Sequence, residues 1–437
     1  MTKIILLLLI VAPTAYGNFA EMFGSSATTS SIGNQANGDA SDPGNAFYLP
    51  ALMAMHDRTS FSMAAATVKT NFHDINNIIT DNARTSSDPS VPISGDVNTD
   101  YPDVYNSAIN INLPLARNTG NIALSIFNPI GSLMEFNSGD SFLPEYVMHR
   151  ARYKRTLIYG NYAKKLSPDI AWSIGFLFGI QSGGDAENQS ALNGSSYGSS
   201  ASMKVKARPT FAGAFSVLKK FKKSLLYFSY QQEMKSNTTV RANGVETNTS
   251  IPYDTTFETM TYFDPHVFRL GYVAKQFSHI HFFTSVEYQM WENYKTPVIR
   301  ITKNSGSAII GSDNAENIKT TNIIVPKFGM NFLITDKLTF AVGVNYRKSP
   351  LDSDFSGAGN SLDTDSLTST TGLSYDLSIF GLDIELAGSF QYHKLKDKTV
   401  NKSANMENGL PGQKVGAGGY KIGGDIYVAS LGATIQF

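Results

Sequence analysis

Tyr105-Asn106-Ser107-Ala108-Ile109-Asn110-Ile111-Asn112-Leu113-Pro114-Leu115 is the stretch whose reading decides the fold. Successive side chains of a β-strand point to opposite faces, so a strand here presents Tyr105, Ser107, Ile109, Ile111, Leu113 and Leu115 on one side and Asn106, Ala108, Asn110 and Asn112 on the other. Slipping the pairing by one residue would move three asparagines into the apolar surroundings, so the register is well specified. Ile170 to Ile180 repeats the pattern, with Ile170, Trp172, Ile174, Phe176, Phe178 and Ile180 opposite Ala171, Ser173, Gly175 and Gly179. From Leu382 to Tyr392, the side carrying Leu382, Ile384, Leu386, Phe390 and Tyr392 backs onto Asp383, Glu385, Ala387, Ser389 and Gln391. Two carboxylates on one face exclude lipid or a dry core there and ask for a wet lumen.

Working outward, fourteen such segments are expected, at about 59–72, 104–116, 121–130, 147–165, 170–181, 203–218, 224–236, 265–276, 280–294, 320–334, 338–348, 365–379, 382–395 and 421–437. Tight turns at 117–120, 167–169, 221–223, 335–337 and 380–381 alternate with long polar stretches at 73–103, 182–202, 237–262, 295–318, 349–364 and 396–420. Short turns at one end and long loops at the other describe an all-β, transmembrane, antiparallel up-and-down β-barrel. A soluble sandwich has no reason to lengthen every second connection. The last segment puts Tyr427, Ala429, Leu431, Ala433, Ile435 and Phe437 on one face, a C-terminal strand of the kind that outer-membrane assembly machinery recognises.

The composition agrees. Among 437 residues, Lys+Arg and Asp+Glu are 36 each, so no excess charge would recruit nucleic acid. Charged residues make up 16%, against roughly 25% in an ordinary soluble protein, while hydrophobic residues reach 42% and aromatics 11%. The absence of cysteine excludes disulfide scaffolds, Cys-ligated zinc and thiol catalysis. The opening Met1 to Gly17, with Lys3, the apolar run Ile4 to Val11 and Ala15-Tyr16-Gly17, is expected to be a secretory signal cut before Asn18. That leaves residues 18–57 ahead of the first strand and a barrel over 58–437, exported to the outer membrane of a Gram-negative bacterium as a monomer.

Residues 18–57 do not alternate, and their apolar cluster Phe47, Tyr48, Leu49, Leu52, Met53 and Met55 is poorly suited to a tail in water. A barrel of fourteen strands is too wide for its own side chains to fill, so this segment is expected to plug it as a small hatch. The stretch Asp42 to Met55, DPGNAFYLPALMAM, resembles the D-x-x-A-x-x-x-N-P-A-G-L segment ending the N-terminal hatch of FadL/TodX-type outer-membrane transport proteins. FNPIGSLMEF (Phe127–Phe136), YQQEMKS (Tyr230–Ser236), DPHVFRLGY with VEYQMWENY (Asp264–Tyr294) and VGVNYRKSPLD (Val342–Asp352) resemble later strands of that family in the same order. One departure is Leu49-Pro50-Ala51 where the family has Asn-Pro-Ala, which removes an amide from the hatch.

The resemblance implies passive uptake of long-chain fatty acids or other hydrophobic compounds through an apolar pocket, with hatch rearrangement and lateral exit at a kinked third strand. Phe127, Pro129 and Gly131 would form that lateral gate. Proline cannot donate to a ladder, so Pro129 marks either an opening or simply a strand end. Phe19, Met22, Phe23, Phe47, Leu52 and Met53 are the expected pocket residues, since Met and Phe adapt to ligands of varied shape; they could equally be the hatch's own core. Arg150, Arg152 and Lys154 share one face of the fourth strand, either to hold a carboxylate head group or to balance lumen carboxylates such as Glu287, Asp383 and Glu385; Arg155 falls on the lipid face. His281 and Glu287 fall on lumen faces, but no catalytic triad or metal spacing stands out, so neither an enzyme nor a cofactor is expected. The competing reading is a diffusion porin for small hydrophilic solutes.

Overall fold

The computed structural model describes residues 19–81, 93–116, 119–130, 145–146, 156–193, 196–246, 251–295, 300–305, 319–351, 361–402 and 416–437. The signal segment, Gly131, Arg150, Arg152, Lys154 and Arg155 lie outside them.

Fourteen antiparallel strands close a barrel: β1 (Ser60–Phe72), β2 (Val104–Pro114), β3 (Asn121–Pro129), β4 (Leu157–Ser167), β5 (Ile170–Asn193), β6 (Ser196–Phe221), β7 (Ser224–Gln231), β8 (His266–Ala274), β9 (Ile280–Met290), β10 (Ile323–Leu333), β11 (Leu338–Arg347), β12 (Ser366–Ile379), β13 (Leu382–Val400) and β14 (Tyr420–Gln436). Each pairs with its sequence neighbours, and β1 closes the ring on β14 from Ser60↔Gln436 to Phe72↔Gly424. Among the described residues every strand of the wall has a partner on both sides, which is the condition for strands to cross a bilayer. No described helix is long and apolar enough to cross one.

The alternation read from the sequence holds. In β2, Asn106, Asn110 and Asn112 point inward and are buried, while Tyr105 and Leu113 are exposed outward. In β14, Ile426, Val428 and Ser430 face in while Tyr427 and Leu431 face out. The turns 168–169, 222–223, 275–279, 334–337 and 380–381 share one rim with the start of β1 and the end of β14, where the Phe437 amide donates to the Thr59 carbonyl at 2.9 Å. The long connections share the other rim.

Several of those connections contain strands. β5 and β6 run on as a hairpin to Asn193 and Ser196, past the expected ends at 181 and 203. Met234–Glu246 and Ile251–Asp264 form a second hairpin that spans the expected loop 237–262 and takes in the last residues, Met234–Ser236, of the expected strand 224–236; the first of these pairs parallel with β5 from Val240↔Gly184 to Asn243↔Glu187. A strand beyond the lipid needs no apolar face, so its sequence carries no period-two signal to read.

Residues 19–55 occupy the barrel interior as α1 (Phe19–Phe23), α2 (Ala27–Ser31) and two 3-10 turns, Pro43–Ala46 and Pro50–Met55. The local starts are legible: Ser26 and Thr29 form a capping box on α2, and the Asp42 carboxylate caps the turn that begins at Pro43 by accepting from the Gly44 amide. Short turns leave many carbonyls unsatisfied, and inward polar side chains from around the wall donate to them. Asn110 reaches the Ser25 carbonyl at 3.0 Å, Asn121 that of Met53 at 2.7 Å, Ser229 that of Tyr48 at 2.8 Å and Gln391 that of Phe23 at 2.6 Å. These amides meet the backbone of the N-terminal segment.

Three inward glycines make room for it. A Cβ on Gly343 would lie 2.3 Å from the Ile32 carbonyl carbon and 2.4 Å from the Gly33 nitrogen; on Gly329, 2.7 Å from the Ile32 carbonyl oxygen; on Gly372, 2.5 Å from Ser31 Cβ. The end of α2 therefore seats directly against the backbone of β10, β11 and β12.

Candidate functional site in the barrel interior

The expected pocket residues divide between two places. Phe19 and Phe23, one helical turn apart on α1 with ring centroids 5.1 Å apart, are buried toward the long-loop rim among Val68, Leu351, Leu395 and Ile422. Met22, only partly buried, bridges this cluster to a neighbouring one containing Met260, Phe263, Trp291 and Ile323. Phe47, Leu52 and Met53 belong to a different cluster, packed on the inner wall of β3 to β6 against Phe127, Leu157, Tyr159 and Leu177.

Between the two lies a buried ionic centre that the sequence reading did not anticipate. Arg269 Nε donates to Glu287 Oε1 at 2.9 Å and Lys327 Nζ donates to the same oxygen at 2.7 Å, all three side chains being at most 3% exposed. Lys327 also donates to the Asn34 carbonyl at 2.7 Å. The Arg269 guanidinium lies 5.3 Å from the Phe47 ring and 5.9 Å from that of Tyr48, and Lys327 Nζ lies 5.6 Å from Tyr48. Charge pairing, a carbonyl bond and ring contacts thus fasten the N-terminal segment to β8, β9 and β10. The carboxylate left by the sequence reading to Arg150, Arg152 or Lys154 takes Arg269 and Lys327 instead, and Asp383 takes Arg58 at 2.6 Å. Arg269 and Lys327 were findable: each sits at an inward position of an otherwise apolar alternating strand, where an unpaired cation is costly.

Leu49 is fully buried, and polar side chains elsewhere in the segment hydrogen-bond to one another. The Asn45 side chain donates to the Asn37 side chain at 2.6 Å and to the Asp39 carbonyl at 2.8 Å, and accepts from the Asn37 amide at 2.9 Å. Asp42 accepts from Thr28 at 2.5 Å and from Asn37 at 2.8 Å, and burial nevertheless pushes its carboxyl above the usual carboxylate range.

At the expected gate, Pro129 is the last residue of β3, opposite Asn106 of β2, so the structure places it at a strand end. The β3–β4 pairing runs from Asn121↔Ala163 to Phe127↔Leu157. Phe47 lies against the inner side of these strands, edge-on to Phe127 at 5.6 Å and to Tyr159 at 5.9 Å.

Cavities adjoin the segment, and two of them bear on the expected residues. One of about 40 Å³, beside α1, is lined by Glu21, Met22, Glu287, Lys327, Arg347 and His393. The other, of about 210 Å³ and nearer the short-turn rim, is lined by polar groups including Asp39, Lys275, His281, Asp376 and Glu385. His281 and Glu287 thus line different cavities. What the interior offers chemically is apolar surface at both ends of a single segment, with charged groups beside it.

A closed fourteen-stranded barrel filled by an N-terminal segment defines an outer-membrane-type channel architecture. Known structures place it more closely. A FadL homologue of Pseudomonas aeruginosa is similar over 94% of this chain and 98% of its own, with a TM-score of 0.63 at 12% identity. The toluene transporter TodX of P. putida is similar over 95% and 99%, with a TM-score of 0.53 at 11% identity, and a deltaS2 mutant of TodX, a monoaromatic hydrocarbon channel, over 95% and 100% with a TM-score of 0.55 at 10% identity. No protein-family model and no curated protein matches the sequence. The chain has the FadL/TodX-type outer-membrane transporter fold.

Proposed function

We propose that this chain is a channel, and not an enzyme, for passive uptake of long-chain fatty acids or other hydrophobic small molecules across the outer membrane of a Gram-negative bacterium. The observation that carries the reading is the occupied lumen: one N-terminal segment presents apolar side chains at Phe19, Met22 and Phe23 under the long loops and again at Phe47 beside the β3–β4 seam. A ligand would enter among the first group, displace the segment and leave sideways past Phe47 and Phe127. Lateral exit suits an apolar cargo, because alkyl surface gains about 0.8 kcal/mol per CH2 on transfer from water to lipid. A fatty-acid carboxylate would have Arg150, Arg152 and Lys154 as its candidate cations, since Lys327 and Arg347 beside α1 are held by Glu287 at 2.7 Å and Asp363 at 3.1 Å. The barrel works as a monomer in this reading, and the strand ending at Phe437 is what its assembly machinery takes hold of.

Purified protein extracted with organic solvent should yield a fatty acid or another amphiphile by mass spectrometry, and planar bilayers should register little steady current. A protein free of hydrophobic compounds that conducts ohmically would instead be a diffusion porin.

A further inference from the structure

Charge is distributed unevenly around the short-turn rim. Along the arc from β4 to β8 lie Lys164, Lys219, Lys220, Lys222, Lys223 and Lys275, all exposed, with Asp169 among them; Lys165 beside them is paired to Asp57 at 2.8 Å, and the Lys275 ammonium turns inward to the Gly38 carbonyl at 3.3 Å. None of the six has a carboxylate partner among the described residues. Their spatial continuity follows from the pairing: Lys164 stands opposite Trp172, Ile170 opposite Lys219 and Phe221 opposite Ser224, and the Lys275 amide donates to the Lys223 carbonyl at 2.8 Å. Farther round the rim the charges are balanced locally, with Asp336 beside Lys337 and Arg58 paired to Asp383 at 2.6 Å.

The same arc carries an interfacial aromatic belt. Alternation turns Tyr162, Trp172 and Phe221 outward with Lys164 and Lys219, and the Tyr162 and Trp172 rings meet edge-on at 6.0 Å. Leu166 and Phe277, both more than half exposed, extend the apolar surface to the turns. Aromatic side chains of this kind sit at headgroup level, which sets the neighbouring ammonium groups at the depth of lipid phosphates, their alkyl stems lying along the hydrocarbon boundary.

We infer that the β4–β8 arc of the short-turn rim is a docking surface for anionic phospholipid in the adjoining leaflet, recognising the phosphate-bearing headgroup through clustered lysines and the acyl chains through Trp172, Phe221 and Leu166. Clustered lysines bordering a membrane attract anionic lipid through the negative surface potential, which a balanced rim does not do. The inference does not depend on what the channel carries.

The test is native mass spectrometry of the full-length barrel released from detergent, titrated with phosphatidylglycerol or with phosphatidylcholine of the same acyl chains. The wild type should retain phosphatidylglycerol at a concentration about ten-fold lower than phosphatidylcholine, and added salt should erode the difference. K219Q/K222Q/K223Q should lose most of that preference while Lys337→Gln keeps it, each variant first being checked as folded by its heat-modifiable mobility on a gel. Equal retention of the two lipids by the wild type, or an unchanged preference in the triple variant, would overturn the proposal. So would displacement of the lipid by millimolar inorganic phosphate, since the surface would then be reading a free anion.

Discussion

Glu287 holds two cations on one oxygen, and the arithmetic of that position makes it fragile. Removing one partner of a buried ionic group leaves uncompensated charge and costs about 3–5 kcal/mol, whereas replacing the whole group by apolar residues is often close to neutral. Glu287→Gln keeps the shape and leaves Arg269 and Lys327 without a carboxylate, so its urea midpoint, followed by fluorescence of the buried Trp291, should fall markedly. Combining it with Arg269→Leu and Lys327→Met should restore part of the loss; a triple variant as unstable as the single one would mean that charge is not the cause. The inward positions were legible residue by residue, but the pairing was not. Asp264 to Tyr294 read as two alternating strands, but that Arg269, Glu287 and Lys327 share one point depends on the β8–β9 and β9–β10 registers, Arg269↔Glu287 and Glu287↔Val325, which no strand fixes alone. The bonds among Asn37, Asp42 and Asn45 are the converse case, since they join residues close in sequence.

Among elements, the seat of α2 on β10, β11 and β12 makes a sharp demand. A methyl group at position 343 has nowhere to go, because the atoms 2.3 and 2.4 Å away are backbone and not flexible side chain. Gly343→Ala should therefore unseat residues 19–55, expected as faster proteolysis of that segment while the barrel keeps its heat-resistant gel mobility; unchanged protection would show that the wall yields instead. Phe47 makes a different demand. Its removal deletes the ring between Phe127 and Tyr159 and empties a buried site, at about 3–5 kcal/mol for a core phenylalanine. If the β3–β4 seam is the exit, Phe47→Ala should speed delivery of a fluorescent fatty acid into proteoliposome membranes and Phe23→Ala should slow it. Equal effects of the two would separate neither entrance from exit. The barrel strands themselves were legible because each needs one apolar face; the Met234–Glu246 and Ile251–Asp264 hairpin was not, because beyond the wall that requirement lapses.

Taken whole, the molecule is a wall and its contents, and they are separable by experiment. Deleting residues 19–56 should convert a nearly silent barrel into one with a large steady conductance in planar bilayers; an unchanged current would mean that the lumen stays blocked by something other than this segment. The deletion should also cost stability, since side chains such as Asn110, Asn121, Ser229 and Gln391 would lose the carbonyls they now satisfy. The sequence by itself determined the wall: fourteen strands, their inward and outward faces, the alternation of short turns with long connections, and the apolar, non-alternating character of residues 18–57. Those follow from period-two patterning and turn chemistry, which are local. Only the tertiary structure decided what the inward face is for. Facing side chains from strands far apart in sequence converge on one segment, and whether an inward asparagine meets water or a carbonyl, or an inward lysine meets a carboxylate, is set by strand register and barrel closure, which belong to the chain as a whole.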